Sequence, residues 1–232
     1  MIRYADADEK KAPPIARRDL RSFTALAEKQ ILISMAKRLP SWIGPDHLTA
    51  LGVLAMAGAG LSYKLLVFSP LALLGVNFFL FLNWFGDSLD GTLARVREKQ
   101  RPRYGFYVDH LVDAFGAIFL LGGLASSGMV SPLSALALLI GYLLLQIHIT
   151  LKAHATSVFQ IAFGGVGGTE ARILLGLMNL GLLIWPALLG LLTPLLWSVT
   201  AVLVGLVVLD GLKTGRSLDR EERSLWGQGS VA

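Results

Sequence analysis

Between residues 47 and 212 the apolar residues of this chain fall into blocks of roughly twenty, separated by short polar or proline-containing breaks. A helix of about twenty residues is about 30 Å long, which matches the hydrocarbon thickness of a bilayer, and a helix satisfies its own backbone there. Six such spans can be read, at about 47–68, 70–90, 106–128, 132–153, 172–192 and 194–212. With 54% hydrophobic and only 16% charged residues among 232, the chain reads as an all-α integral membrane protein with six transmembrane helices.

Charge sets the expected orientation. Arg3, Lys10, Lys11, Arg17, Arg18, Arg21, Lys29, Lys37 and Arg38 precede the first span, and Arg95, Arg97, Lys99, Arg101 and Arg103 follow the second. Lys152 and Arg172 flank the connection after the fourth, and Lys213, Arg216, Arg220 and Arg223 follow the sixth. Of the 21 Lys and Arg, only Lys64 falls near the opposite face. The positive-inside rule then makes both termini cytoplasmic. The formal charge of +5 is thus a topological signal, with no nucleic-acid partner implied. The expected location is multi-pass in a plasma membrane, the bacterial inner membrane, with the lipid bilayer as solvent. The absence of cysteine excludes disulfides and thiolate metal centres, so any metal is held by oxygen or imidazole. The polar first forty residues do not have the pattern of a secretory signal peptide.

Four segments follow. Residues 1–14, with Pro13-Pro14, read as a flexible tail, and 15–44 as a juxtamembrane amphipathic helix and linker. In that helix Leu20, Phe23, Ala27 and Ile31 recur at helical spacing, so it is expected to lie on the inner leaflet. Pro40-Ser41-Trp42-Ile43-Gly44-Pro45 ends it, and Asp46 is expected to cap the first spanning helix. Residues 45–212 are expected to form a six-helix transmembrane domain and 213–232 a charged cytoplasmic tail.

Acidic residues at membrane depth are concentrated in one place: Asp87-x-x-Asp90-Gly91-x-x-Ala94-Arg95, then nine residues, then Gly105-x-x-x-Asp109-x-x-x-Asp113. An ionisable side chain inside a bilayer costs about 2.5 to 3.5 kcal/mol on insertion scales and is by default a functional-site hypothesis. Asp87, Asp90, Gly91 and Ala94 share one helix face, acidic and then small, which leaves room for a ligand, while Gly105, Asp109 and Asp113 share another. The helix dipole favours the acids at the start of the third span and opposes those at the end of the second. Four acids gathered in this way repel one another and call for positive charge. Arg95 can supply part of it. Hard carboxylate oxygens otherwise select Mg²⁺, Mn²⁺ or Ca²⁺, and a site keeping positions open for phosphate oxygens suits Mg²⁺ or Mn²⁺. Two such ions can clamp a diphosphate.

Two other readings compete. Interhelical salt bridges with Arg95, Arg97, Arg101 and Arg103 would use the same acids, at an energetic cost without a structural need. A proton or cation path would also use buried aspartates, but on several helices near mid-membrane. Here spans one, four, five and six have no carboxylate before Asp210, near an inner end.

The eight signature residues from Asp87 to Asp113 resemble the defining motif of the CDP-alcohol phosphotransferases. Six spans and an interfacial N-terminal helix extend the resemblance over most of the chain. The segment Val96 to Tyr104 is one residue longer than the commonest spacing of that family, and as a basic loop it can absorb the addition. The resemblance implies that a CDP-linked alcohol donates its substituted phosphate to a hydroxyl acceptor, with release of CMP, in phospholipid synthesis. It further implies a two-metal centre of Mg²⁺ or Mn²⁺ held by Asp87, Asp90, Asp109 and Asp113, with Asp113 also the general base. Gly91, Ala94, Arg95 and Gly105 would serve the nucleotide. The chemistry fits: metals draw off charge as the bond to CMP breaks, and a carboxylate beside the acceptor takes its proton.

A second pocket is suggested by Lys152-Ala153-His154-Ala155-Thr156-Ser157 and Gly164-Gly165-Val166-Gly167-Gly168-Thr169-Glu170-Ala171-Arg172. This stretch is similar to the His-Thr and Gly-Pro-x-Glu-Gly region of choline and ethanolamine phosphotransferases, and Asp109-His110 to their Asp-His step. Proline is absent here, and Ala171 stands where they have glycine. His110, His154, Thr169, Glu170 and Arg172 are therefore candidates for the acceptor or donor-alcohol pocket, with Gln146 and His148 behind them. The donor is open between CDP-diacylglycerol, with a small-alcohol acceptor, and a CDP-amino alcohol, with a lipid acceptor. The resemblance also implies a homodimer. The glycines of Gly58-Ala59-Gly60 and Gly122-Gly123 are candidates either for its interface or for packing within the chain.

Overall fold

The computed structural model describes residues 25–156 and 167–228. All of their regular structure is helical: α1 (Ala25–Arg38), α2 (Pro45–Lys64), α3 (Ala72–Val96), α4 (Pro102–Ala125), α5 (Pro132–Thr156), α6 (Gly168–Ile184) and α7 (Leu189–Gln228), with 3-10 turns at Leu65–Val67 and Pro186–Leu188. Five stretches are long and apolar enough to cross a membrane: Pro45–Val67, Ala72–Val96, Pro102–Ala125, Pro132–Thr156 and Pro186–Ser224. The tail 1–14, Leu20, Phe23, the side chain of Ala27, Ser157 and Gly164 to Val166 lie outside the described residues.

The boundaries differ from expectation where sequence is apolar on both sides. The block 172–192 is divided, because α6 ends at Ile184 after 17 residues, about 25 Å of helix. Trp185 leaves helical backbone ahead of Pro186, as the residue before a proline tends to do. The break expected at Thr193-Pro194 falls inside α7, which tolerates Pro194 near its start. At the other end α7 continues through the charged segment after Leu212 for 40 residues in all, about 60 Å of helix. An i,i+4 pair between Arg223 and Asp219 (2.9 Å) lies on this extension.

The acidic motif also sits deeper in its helices than expected. α3 runs on to Val96 and α4 already begins at Pro102, so residues 97–101 alone connect them. Asp87, Asp90, Asp109 and Asp113 are therefore all more than one turn from a helix end. The macrodipole, which fades within the terminal turn, does not separate the two pairs.

Around that connection the chain is stapled together. Asp46 does not cap α2: Gly44 is the N-cap, its N–H donates to His47 Nδ1 (2.9 Å), and Pro45 takes the first helical position, where no amide donor is needed. Asp46 pairs instead with Arg101. Arg97 donates to the carbonyls of Leu39 (3.1 Å), Pro40 (2.9 Å), Ser41 (3.4 Å) and Ile43. Trp42 stands out of this linker, 74% exposed. α1 covers the same end, with Leu32 and Ala36 buried against Leu48, Leu89 and Leu93. Ile31 of the expected stripe faces away and is 53% exposed. The stripe was phased for a lipid surface, and the seat on α2 and α3 uses the neighbouring positions.

α2 is the central helix and crosses α3 and α4 closely. Added Cβ atoms at Gly60 and Gly123 would each overlap backbone, of Phe119 and of Gly60 respectively, and one at Gly58 would meet the Phe79 ring. These glycines thus serve packing within the chain, whereas Gly122 faces open space. A second buried cluster, including Ala59, Tyr63, Leu73, Val76, Leu80 and Leu124, fills the end away from the Arg97 staple. Gly60→Ala is expected to destabilise the protein by about 1–3 kcal/mol, through overpacking against backbone, and Gly122→Ala by less than about 0.5 kcal/mol. Thermal unfolding in detergent distinguishes the two.

Candidate active site

Asp87 and Asp90 from α3 and Asp113 from α4 line one cavity of about 360 Å³. The i,i+3 spacing on α3 turns the first two inward together. Asp109, one turn nearer the 97–101 connection, is not on the described wall. Its charge nevertheless acts on both Asp90 and Asp113.

The cation that meets these acids comes from α6. Arg172 Nη2 pairs with Asp87 Oδ2 at 2.6 Å and its Nε donates to Asn83 Oδ1 at 2.7 Å. Asn83 in turn donates from Nδ2 to the Gly52 carbonyl at 3.0 Å, so one amide ties α2, α3 and α6. Both members of the ion pair are mostly enclosed, with side chains 20% and 29% exposed. Asp90 accepts from Thr49 Oγ1 of α2 at 2.6 Å and from the Gly91 amide. With Asp87 turned onto Arg172 and Asp90 onto Thr49, no three acidic or imidazole side chains among the described residues converge in ligating geometry. The donor set is all carboxylate and hydroxyl oxygen, the chemistry that suits Mg²⁺ or Mn²⁺.

The other signature residues surround this wall. The Gly91 position lies beside the Arg95 guanidinium, and Arg95 Nη2 donates to Thr92 Oγ1 on its own helix (2.9 Å). Ala94 is half-buried near the end of α3, and Gly105 in the first turn of α4 faces open space. Neither Arg97 nor Arg101 is spent on the acids of the motif; they hold the linker and Asp46.

Of the five residues expected in a second pocket, only Arg172 reaches the described wall. Glu170 accepts from the Gly167 amide at 3.0 Å and so caps α6, with Thr169 beside it in the first turn. His154 is exposed in the last turn of α5. His110 donates from Nδ1 to the Phe106 carbonyl (2.8 Å) and lies against the Phe106 ring. His148 and Lys152 of α5 both reach Asp210 Oδ2 of α7, at 2.8 and 2.7 Å, so His148 belongs to a separate clamp between these helices.

Sequence reasoning missed three polar residues of the wall: Thr49, Asn83 and Tyr142. Asn83 had a signal, since it lies four residues before Asp87 and so on its face. Tyr142 lies one turn from Gln146, whose amide donates to its hydroxyl (3.3 Å). Thr49 had none. α6 is held in place by a further buried set: Tyr63 donates to Asn179 (3.0 Å), Asn179 to Asn77 (2.8 Å), and Asn77 to the Gly176 carbonyl (3.1 Å).

Comparison with protein-family models finds no match, and comparison with curated proteins finds none. Removing one member of the enclosed pair leaves the other charge without its partner. Arg172→Ala and Asp87→Asn are each expected to destabilise the protein, and the double variant to lose less than their sum, by about 1–3 kcal/mol. Denaturant unfolding of the four proteins measures this coupling.

Proposed function

We propose that the protein is a metal-dependent phosphotransferase that moves a substituted phosphate from a CDP-linked alcohol to a hydroxyl acceptor and releases CMP, in phospholipid synthesis. The observation that carries this reading is the meeting of Asp87, Asp90 and Asp113, from two helices, on one cavity wall with Arg172. Asp109 completes the tetrad from one turn away. A sixth crossing by α6, with both termini on the cytoplasmic side, agrees with the distribution of Lys and Arg and with its hydrogen-bonded seat against α3.

Bound Mg²⁺ or Mn²⁺, two ions in this reading, would neutralise the diphosphate and the charge that develops as CMP leaves. Asp87, Asp90, Asp109 and Asp113 are the residues that would hold them, and a metal at Asp87 would compete with Arg172 for that carboxylate. Arg172, held at its Nε by Asn83, is then available to a phosphate oxygen. Gly91 and Ala94 leave room for the nucleotide to approach α3, with Arg95 and Gly105 beside it. Asp113 takes the proton from the attacking hydroxyl. A homodimer accompanies this reading, with its interface outside the glycines used within the chain.

A cation path, which would use the same acids, needs polar side chains onward across the membrane. The cavity wall beyond the acids is instead formed by Met56, Leu80, Leu120 and Leu121. This favours a closed reaction chamber.

Purified protein supplied with Mg²⁺ and a panel of CDP-alcohols and acceptors is expected to release CMP, and chelation to stop it. Asp113→Asn should lower turnover by about 10²–10⁴-fold while the unfolding transition stays in place. Full turnover in that variant would remove Asp113 from the role of base, and metal-driven ion flux into liposomes without CMP would favour transport.

A further inference from the structure

We infer that Tyr142 of α5 is a catalytic residue of this site, its hydroxyl donating a hydrogen bond to a non-bridging oxygen of the phosphate that is transferred. This inference rests on the phosphotransferase reading and adds to it a neutral donor, from a helix that contributes none of the acids.

α5 turns Leu138 and Tyr142, one turn apart, toward the cavity, and α7 adds Val199 and Leu203. Tyr142 is thus the one polar side chain that these two helices bring to the wall. Gly141 beside it is buried, and the space where its Cβ would stand faces Thr200 and Leu203 of α7. Farther along α5, His148 and Lys152 hold Asp210 of α7. The backbone that carries the phenol is therefore fixed against α7 at the level of the ring and again beyond it.

The hydrogen bonds of the phenol are half made. Its oxygen accepts from Gln146 Nε2 at 3.3 Å, which turns the O–H away from that amide and polarises it as a donor. Among the described residues no protein group accepts its proton, although an enclosed tyrosine hydroxyl usually finds a partner. The other hydroxyl of the wall, on Thr49, already donates to Asp90 at 2.6 Å. Asn83 is committed as well, to the Gly52 carbonyl and to Arg172 Nε. A phenol at membrane depth is costlier than the phenylalanine that would fill the same space, so an uncommitted donor there marks a functional position.

Charge and chemistry decide what the donor meets. Of the charged groups that act on Tyr142, Asp113 comes first, followed by Arg172, Asp87 and Asp109. A phenol is protonated at neutral pH, so it offers a proton among carboxylates without adding charge. The acceptor oxygen gives its own proton to Asp113 and directs a lone pair at phosphorus, and a donor on that oxygen would hold back the electrons needed for attack. The non-bridging oxygens carry the charge spread over the phosphoryl group in the transition state, and donors fixed in advance stabilise it without reorganisation. Arg172 comes from α6 and Tyr142 from α5, so two donors on different walls serve one phosphate.

The step balances without another reactant. The acceptor oxygen bonds to the phosphorus distal to cytidine, and the bond from that phosphorus to the oxygen shared with CMP breaks. CMP leaves with that oxygen and the electron pair, and the hydroxyl proton passes to the Asp113 carboxylate. Tyr142 keeps its proton throughout.

The test supplies full-length protein in nanodiscs with Mg²⁺ and the panel of CDP-alcohols and acceptors, and takes forward a pair from which the wild type releases CMP. Tyr142→Phe keeps the ring and removes the hydroxyl. Its kcat is expected to fall by about 10²-fold, with KM for the CDP-alcohol little changed and the unfolding transition in place. The same CDP-alcohol carrying sulfur for one non-bridging oxygen of the distal phosphorus, as each of its two diastereomers, reads the contact itself. The ratio of their turnovers should shift in Tyr142→Phe, which a loss of packing would not cause. Tyr142→Met, an adaptable filler without a donor, gives the same comparison if the phenylalanine variant does not fold. An unchanged kcat, a loss confined to KM or an unaltered diastereomer ratio overturns the role of Tyr142 and leaves the phosphotransferase reading intact. No CMP from any pair with the wild type overturns that reading, and the inference with it.

Discussion

The ion pair between Asp87 and Arg172 is the contact on which the rest of the arrangement depends. A carboxylate and a guanidinium at membrane depth are each unfavourable alone, and each holds the other at 2.6 Å. Because they come from α3 and α6, their pairing requires α6 to lie against α3 with its N-terminal turn at the level of the acids. Asn83 fixes the guanidinium plane and also binds α2, and the Tyr63–Asn179–Asn77 set holds the middle of α6. In a bilayer, where apolar contact between helices gives little advantage over contact with lipid, such hydrogen bonds and close backbone crossings supply the specificity. The glycine contacts of α2 with α4 supply the second part.

This division of labour explains what could be read from sequence. The spans follow from hydropathy, and four of the six blocks coincide closely with α2, α3, α4 and α5 because charges or prolines mark their ends. Within the apolar region from 172 to 212 there was no such mark except Pro186 and Pro194, and the break was assigned to the wrong proline. Both prolines are compatible with a helix start, so composition alone does not choose. The seat of α1 was not legible for a related reason: periodicity identifies the stripe of Ile31, but the positions that pack on α2 and α3 depend on Leu48, Leu89 and Leu93, distant in sequence.

The site was legible where its residues lie on one helix face. Asp87 and Asp90 share such a face and so do Asp109 and Asp113, which made the acidic constellation visible before any tertiary contact. The partners were less so. Four arginines close to the motif in sequence were natural candidates as counter-charges, yet the guanidinium on Asp87 comes from Arg172, 85 residues away. Thr49 is farther still from any local signal, since only the α2–α3 crossing brings its hydroxyl to Asp90. Helix faces are local information, whereas the pairing of faces is not.

The Arg97 staple carries a consequence for assembly. The linker that seats α1 presents the carbonyls of Leu39, Pro40, Ser41 and Ile43 to one guanidinium more than fifty residues downstream. During synthesis that side chain emerges only after α2 and α3 have both been made. The α1 helix therefore cannot take its final seat as it is made, and is locked only once α2 and α3 have followed it.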